Sequence, residues 1–135
     1  MIEDEHQYVY ATLILKGMGL NPDEVTTFLG INPSMSFKCG DKRGVTGIWK
    51  HNFWSLSSQE QIGSNNLAIH LEWLMSQLEP VESNLSELLD RKDIEGEISC
   101  FWILPTDHEI FTISPALLSK ISMLNLGFSV DVYCP

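Results

Sequence analysis

Lys38, Lys42, Arg43 and Lys50 are four of the eight Lys and Arg residues in the chain, gathered between positions 38 and 50 with Asp41 as the sole opposing carboxylate. The formal net charge of the whole chain is -10, so a local surplus of cations is suited to holding an anion. Gly40 and Gly44 would let backbone amides approach such a group. The order Lys-Cys-Gly-Asp-Lys-Arg-Gly is not a Walker loop, which needs its Lys-Ser/Thr pair at the start of a helix. Trp49 and Trp54 flank the stretch. In a ligand reading, Lys38, Lys42 and Arg43 are clamps and Trp49 or Trp54 is a stacking wall. In the competing reading the loop is solvated and both tryptophans pack on a sheet.

Other reactive side chains are scattered. His6, His51, His70 and His108 are never four apart and never beside a cysteine at metal-ligand spacing, so no metal site is expected. Cys39 follows Lys38 and lies near Arg43, a setting that could activate its thiol, but no histidine stands at a recognisable nucleophile-base spacing. Asp107-His108-Glu109 falls where polar residues of a hairpin tip belong. The chain lacks a Gly-x-Ser-x-Gly elbow. His70 adjoins a leucine stripe and reads as a hydrogen-bonded histidine at the edge of the core.

The elements that must position these residues are clearer. Between Ser64 and Pro80, Leu67, Leu71, Leu74 and Leu78 recur at helical spacing, widened by Ala68 and Met75. Ile69 and Trp73 lie roughly opposite, so this helix is expected to be covered on two sides. Burial of four leucines contributes at most ~6 to 12 kcal/mol. Ser64 or Asn65 is the expected cap. Tyr8 to Lys16 reads as a central strand apolar on both faces. Asn21-Pro22-Asp23-Glu24 starts a short helix that Gly30 ends. Ser34 to Gly47 has loop chemistry, and Val45 to Leu56 reads as one bulged strand or two short ones, firmest at Trp54 to Ser57. Ser83 to Arg91 adds a second helix after Pro80. Glu97 to Leu104 and Glu109 to Ile113 read as a β-hairpin. Ser114-Pro115 launches a last helix with Leu117, Leu118, Ile121 and Leu124 buried, and Phe128 to Cys134 alternates as a strand with one buried face.

These elements predict a single α+β domain over residues 1–135, with a mixed or antiparallel sheet and helices mainly on one face. The arrangement is ferredoxin-like, with two βαβ-like halves and the helical pair inserted between them. Eighteen acidic residues against eight basic ones repel a phosphate backbone, so nucleic acid is not an expected partner. The acidic start MIEDEHQ is unlike a secretory signal, and the early apolar run Tyr8–Leu15 is far short of the roughly 20 residues that span a bilayer. A cytoplasmic protein without membrane contact is expected. Three cysteines without a Cys-x-x-Cys pair point to reduced thiols, with Cys100 and Cys134 in strands.

The succession GLNPDEVTTFLGINPS, FKCGDKRG, FWSLSS, LAIHLEWLMSQLEP and ISPALLSKISMLNLGFSVDVY resembles the bacterial family known as domain of unknown function 4279. The resemblance runs nearly end to end and implies neither an activity nor catalytic residues. The expectation that follows is a small non-catalytic binding or interaction domain without cofactors. One version neutralises a protein partner in the manner of an immunity protein. The alternative is an anionic small-molecule binding or enzymatic domain using residues 38–50. A third reading is self-association as a homodimer through an exposed face or edge of the sheet.

Overall fold

The protein is described by a computed structural model over residues 8–104 and 107–134. Helix α1 (Pro22–Leu29) begins where Asn21 Oδ1 accepts from the N–H groups of Asp23 (3.1 Å) and Glu24 (3.3 Å). It ends at Gly30, whose φ of 68° lets its N–H reach back to the Thr26 carbonyl. The long helix α2 (Leu67–Leu78) is capped by Asn66, one residue beyond the expected Ser64 or Asn65; Ser64 instead accepts from Asn66 N–H and shapes the approach. A 3-10 turn (Glu79–Val81) containing Pro80 joins α2 to α3 (Glu82–Leu89), and Ser114 caps α4 (Pro115–Met123).

Five strands form the main sheet: β1 (Val9–Gly17), β2 (Met35–Phe37), β5 (Asn52–Ser57), β6 (Glu95–Ile103) and β7 (Gly127–Tyr133), in the order β2-β5-β1-β6-β7. Strand β1 is central, antiparallel to both β5 and β6; β2 is antiparallel to β5, and β7 is parallel to β6. The succession β1-α1-β2-β5-α2/α3-β6 is therefore the interleaved pair of split βαβ units of a ferredoxin-like fold, and α4-β7 is an appendix to it. The helical pair is thus the crossover of the second half and not an insert between halves. The expected hairpin after β6 does not form. Residues 107–114 contain no strand, Ile110 is 78% exposed, and the place beside β6 goes to β7, which a helical crossover delivers parallel. Pro105 and Thr106, in the expected hairpin connection, lie outside the described residues.

All four helices lie on one face of the sheet. Val9, Ala11, Leu13, Leu15, Trp54, Leu56, Ile98 and Cys100 point beneath them and meet Leu67, Leu71, Leu74, Leu78, Leu85 and Leu88. The opposite face is open. Three expectations about burial fail: Ile69 is 41% exposed, so α2 is covered on its leucine side with Trp73 partly sheltered behind; Leu118 faces solvent; and β7 has no buried face, Val130 alone being half-buried because the strand stands at the edge. The stretch taken as plain loop contains β2 and a small two-stranded arm, β3 (Lys42–Arg43) paired with β4 (Gly47–Ile48). Among the described residues no helix is long and apolar enough to cross a membrane. Cys39 and Cys134 are exposed and Cys100 is buried, all three as free thiols.

Candidate functional site

The β3–β4 arm is held by ring stacking. Phe37 stands opposite Phe53 across β2 and β5, their rings 4.6 Å apart and nearly parallel. Trp49 stacks on Phe37 with centroids 3.6 Å apart, and the Arg43 guanidinium lies 4.5 Å above the Trp49 ring. The result is a column, Phe53–Phe37–Trp49–Arg43, closed at its outer end by a cation. His51 meets the edges of both phenylalanines. Backbone bonds fix the arm's base: Gly40 N–H donates to Trp49 O and Trp49 N–H to Asp41 O, each at 2.8 Å.

Other bonds take up the amides on the Gly40 side of the expected anion cradle. Lys38 N–H donates to Asp41 Oδ2 (2.7 Å), Cys39 N–H to Asn52 Oδ1 (2.7 Å), Gly40 N–H to Trp49 O and Asp41 N–H to Lys38 O. The amides of residues 38–41 are thus occupied within the protein. Lys38 Nζ is drawn 3.1 Å from Asp23 Oδ2, and Arg43 turns onto Trp49, so the charges expected to activate the exposed Cys39 point elsewhere. Trp54 is fully buried on the helical side, where its Nε1–H donates to Thr26 Oγ1 at 3.0 Å; it offers no stacking wall. Of the expected ligand residues, Lys42, Arg43 and Trp49 share the arm, while Lys38 and Trp54 are committed to other contacts.

The structure adds two residues that sequence spacing does not bring together. Three cations are in ion pairs, Lys38–Asp23, Arg91–Glu24 and Lys120–Glu79. Lys16, Lys50 and Lys92 converge with His51 on an open cleft of about 450 Å³ that Gly17, Met18, Asp93 and Glu95 complete. Lys92 arrives because Gly17, at φ 144°, and Gly19 lie hard against Asp93, where a Cβ on either would overlap it. The paired glycines of Gly17-Met18-Gly19 were the sequence signal for that close approach. A second cleft of about 370 Å³ continues along the open face through Ile14, Glu97, Gly127 and Ser129, sharing Lys16 and Glu95 with the first.

A serine and a histidine do meet, but in the core. His70 is fully buried, with Nδ1 2.6 Å from Ser58 Oγ and Nε2 2.6 Å from the Ser64 carbonyl. A carbonyl only accepts, so Nε2 holds the proton; Nδ1 then accepts from the Ser58 hydroxyl, whose oxygen accepts from Ala11 N–H. Burial lowers the His70 pKa, partly opposed by the Ser64 carbonyl. The pair is chained between backbone groups and sealed from substrate. Cys100, also buried, has its thiol pushed up to about 12. Among the described residues no three His, Cys, Asp or Glu side chains gather as a metal site, and His6 lies outside those residues.

Residues 6–135, essentially the whole chain, match the family model described as Domain of unknown function (DUF4279). No curated protein and no solved structure matches the chain.

Proposed function

We start from the fact that the chain belongs to the DUF4279 family, and propose that it is a non-catalytic binding domain that receives an acidic segment of a partner at the cationic end of its open sheet face. One observation carries this reading: Lys16, Lys50 and Lys92 come from three separate segments to a single cleft in a protein of net charge -10. Lys42 and Arg43 stand on the adjoining arm, so the cations outside ion pairs favour one region. The cleft is open, a form that suits an exposed segment better than an enclosed small molecule, and Glu95 and Glu97 in the second cleft limit an acidic segment to the end marked by Lys16. A non-catalytic role accords with the sealing of Ser58 and His70 from solvent.

The test is titration of a fluorescent oligoglutamate peptide into wild-type protein and a Lys50→Glu/Lys92→Glu variant. Binding that weakens with salt and is lost in the variant supports the reading. If tripolyphosphate raises the melting temperature while the peptide does not bind, the anionic small-molecule reading replaces it. No response to either rejects the cleft as a site.

A second reading has its own observation. Helices α1 to α3, with the 3-10 turn and Asp90, bear seven carboxylates and no Lys or Arg; Asp23, Glu24 and Glu79 are in the ion pairs given above, which leaves Glu72, Glu82, Glu87 and Asp90 for a partner. That layer suits a basic protein partner, neutralised as an immunity protein would do it. Binding of an oligolysine peptide, abolished by Glu72→Lys/Glu87→Lys and untouched by the Lys50 and Lys92 changes, would favour it.

A further inference from the structure

We propose that the chain forms a two-fold dimer by antiparallel pairing of β7 with β7 of a second copy, centred on Val130. This does not depend on what the cleft binds. Among the described residues strand β7 is the long free edge of the sheet, seven residues against three in β2 at the other edge. Edges are commonly protected by lysine, proline or a bulge. The sequence Gly127-Phe-Ser-Val-Asp-Val-Tyr133 contains no lysine or proline, and Phe128, Val132 and Tyr133 are 40%, 46% and 50% exposed.

Backbone direction sets which residues can pair. The Tyr133 carbonyl accepts from Leu104 N–H at 3.0 Å, toward the β6 side. Backbone groups alternate along a strand, so Phe128, Val130 and Val132 direct theirs outward. A two-fold axis at Val130 joins those outward groups, Phe128 with Val132 of the second copy and Val130 with its own counterpart. On the open face the same register sets Ser129 against Asp131 and Gly127 against Tyr133 of the second copy. The one charge in the strand thus avoids a like charge, although the Ser129 hydroxyl already donates to Glu97 Oε2 at 3.3 Å, and an aromatic ring covers a glycine, a favourable cross-strand pair. An axis at Asp131 would oppose two carboxylates, and one at Ser129 would leave Val132 and Tyr133 unmatched. Self-complementarity of this kind is what an isologous interface requires. Gly127 also lines the second cleft, so Tyr133, whose ring rests 5.1 Å from Phe101 of its own chain, stands beside the rim of that cleft in the second copy.

Sedimentation velocity over the micromolar range decides the matter. Wild-type protein is expected to be dimeric. Val132→Pro removes an outward N–H while leaving the β6 ladder intact, and should weaken association by roughly tenfold or more, with circular dichroism reporting the fold. Ser129→Lys, facing Asp131 of the second copy, should tighten association and Ser129→Asp should loosen it, a pair that reads the same register if the proline variant does not fold. A wild-type monomer throughout, or a dimer indifferent to the Ser129 changes, overturns the proposal.

Discussion

Trp49 and Trp54 are close neighbours in sequence and are held in opposite ways. Trp54 belongs to the layer between sheet and helices, where it is fully buried and its indole N–H satisfied by Thr26. Trp49 belongs to the β3–β4 arm, half in solvent, pressed between Phe37 and the Arg43 guanidinium. The first region is secured by apolar area removed from water and shared among many leucines, so each contact is supported by its neighbours. The second is secured by one file of rings, each link of which depends on the next. The difference teaches where this protein has room to vary its surface: the arm can change its outer residues without disturbing the core, whereas the helical layer cannot change its inner ones.

Substitutions can break or sharpen that contrast. Leu74→Ala, in the fully buried stripe of α2, should cost about 2 to 5 kcal/mol in chemical denaturation and accelerate amide exchange across the whole sheet. Exchange confined to the arm would reverse the comparison. His70→Leu should cost about 1 to 3 kcal/mol, because the Ser58 hydroxyl and Ser64 carbonyl lose their partner. The same histidine gives the core a pH signature. Its ordinary pKa is 6.5 and the fold lowers it, so the unfolded chain takes up a proton first. Stability is therefore complete above about 6.5 and declines as pH falls from there to the folded value; His70→Leu should abolish that slope in melts collected across the range. Trp49→Ala should cost less, about 1 to 2 kcal/mol, and should speed exchange in residues 38–49 while β1 stays protected. A loss equal to that of Leu74→Ala would erase the distinction. Arg43→Ala, which removes the cation from the end of the column, should change the melting free energy by less than about 1 kcal/mol.

Legibility in the sequence follows the same division. The stripe of Leu67, Leu71, Leu74 and Leu78, the Asn21-Pro22 and Ser114-Pro115 starts and the stop at Gly30 all depend on local chemistry, and all are found where the spacing puts them. Strand β1 was recognisable as central because both of its faces are apolar or aromatic. The arm was not recognisable, since β3 and β4 are two residues each and exist through Trp49 meeting Phe37, a contact between distant positions. The exposure of β7 is hidden from the sequence for a related reason. Alternation in Phe128, Val130 and Val132 gives the period of a strand but not its place at the edge. The candidate cleft was legible in Lys50 alone of its cations, as Lys16 and Lys92 reach it through topology.

Among the described strands the central one is also the first made. During synthesis β1 emerges long before either of its neighbours, and Val9 cannot meet Trp102 until the whole second crossover and most of β6 have left the ribosome. Elongation proceeds at roughly 5 to 20 residues per second, so an apolar ribbon waits some seconds with both edges open.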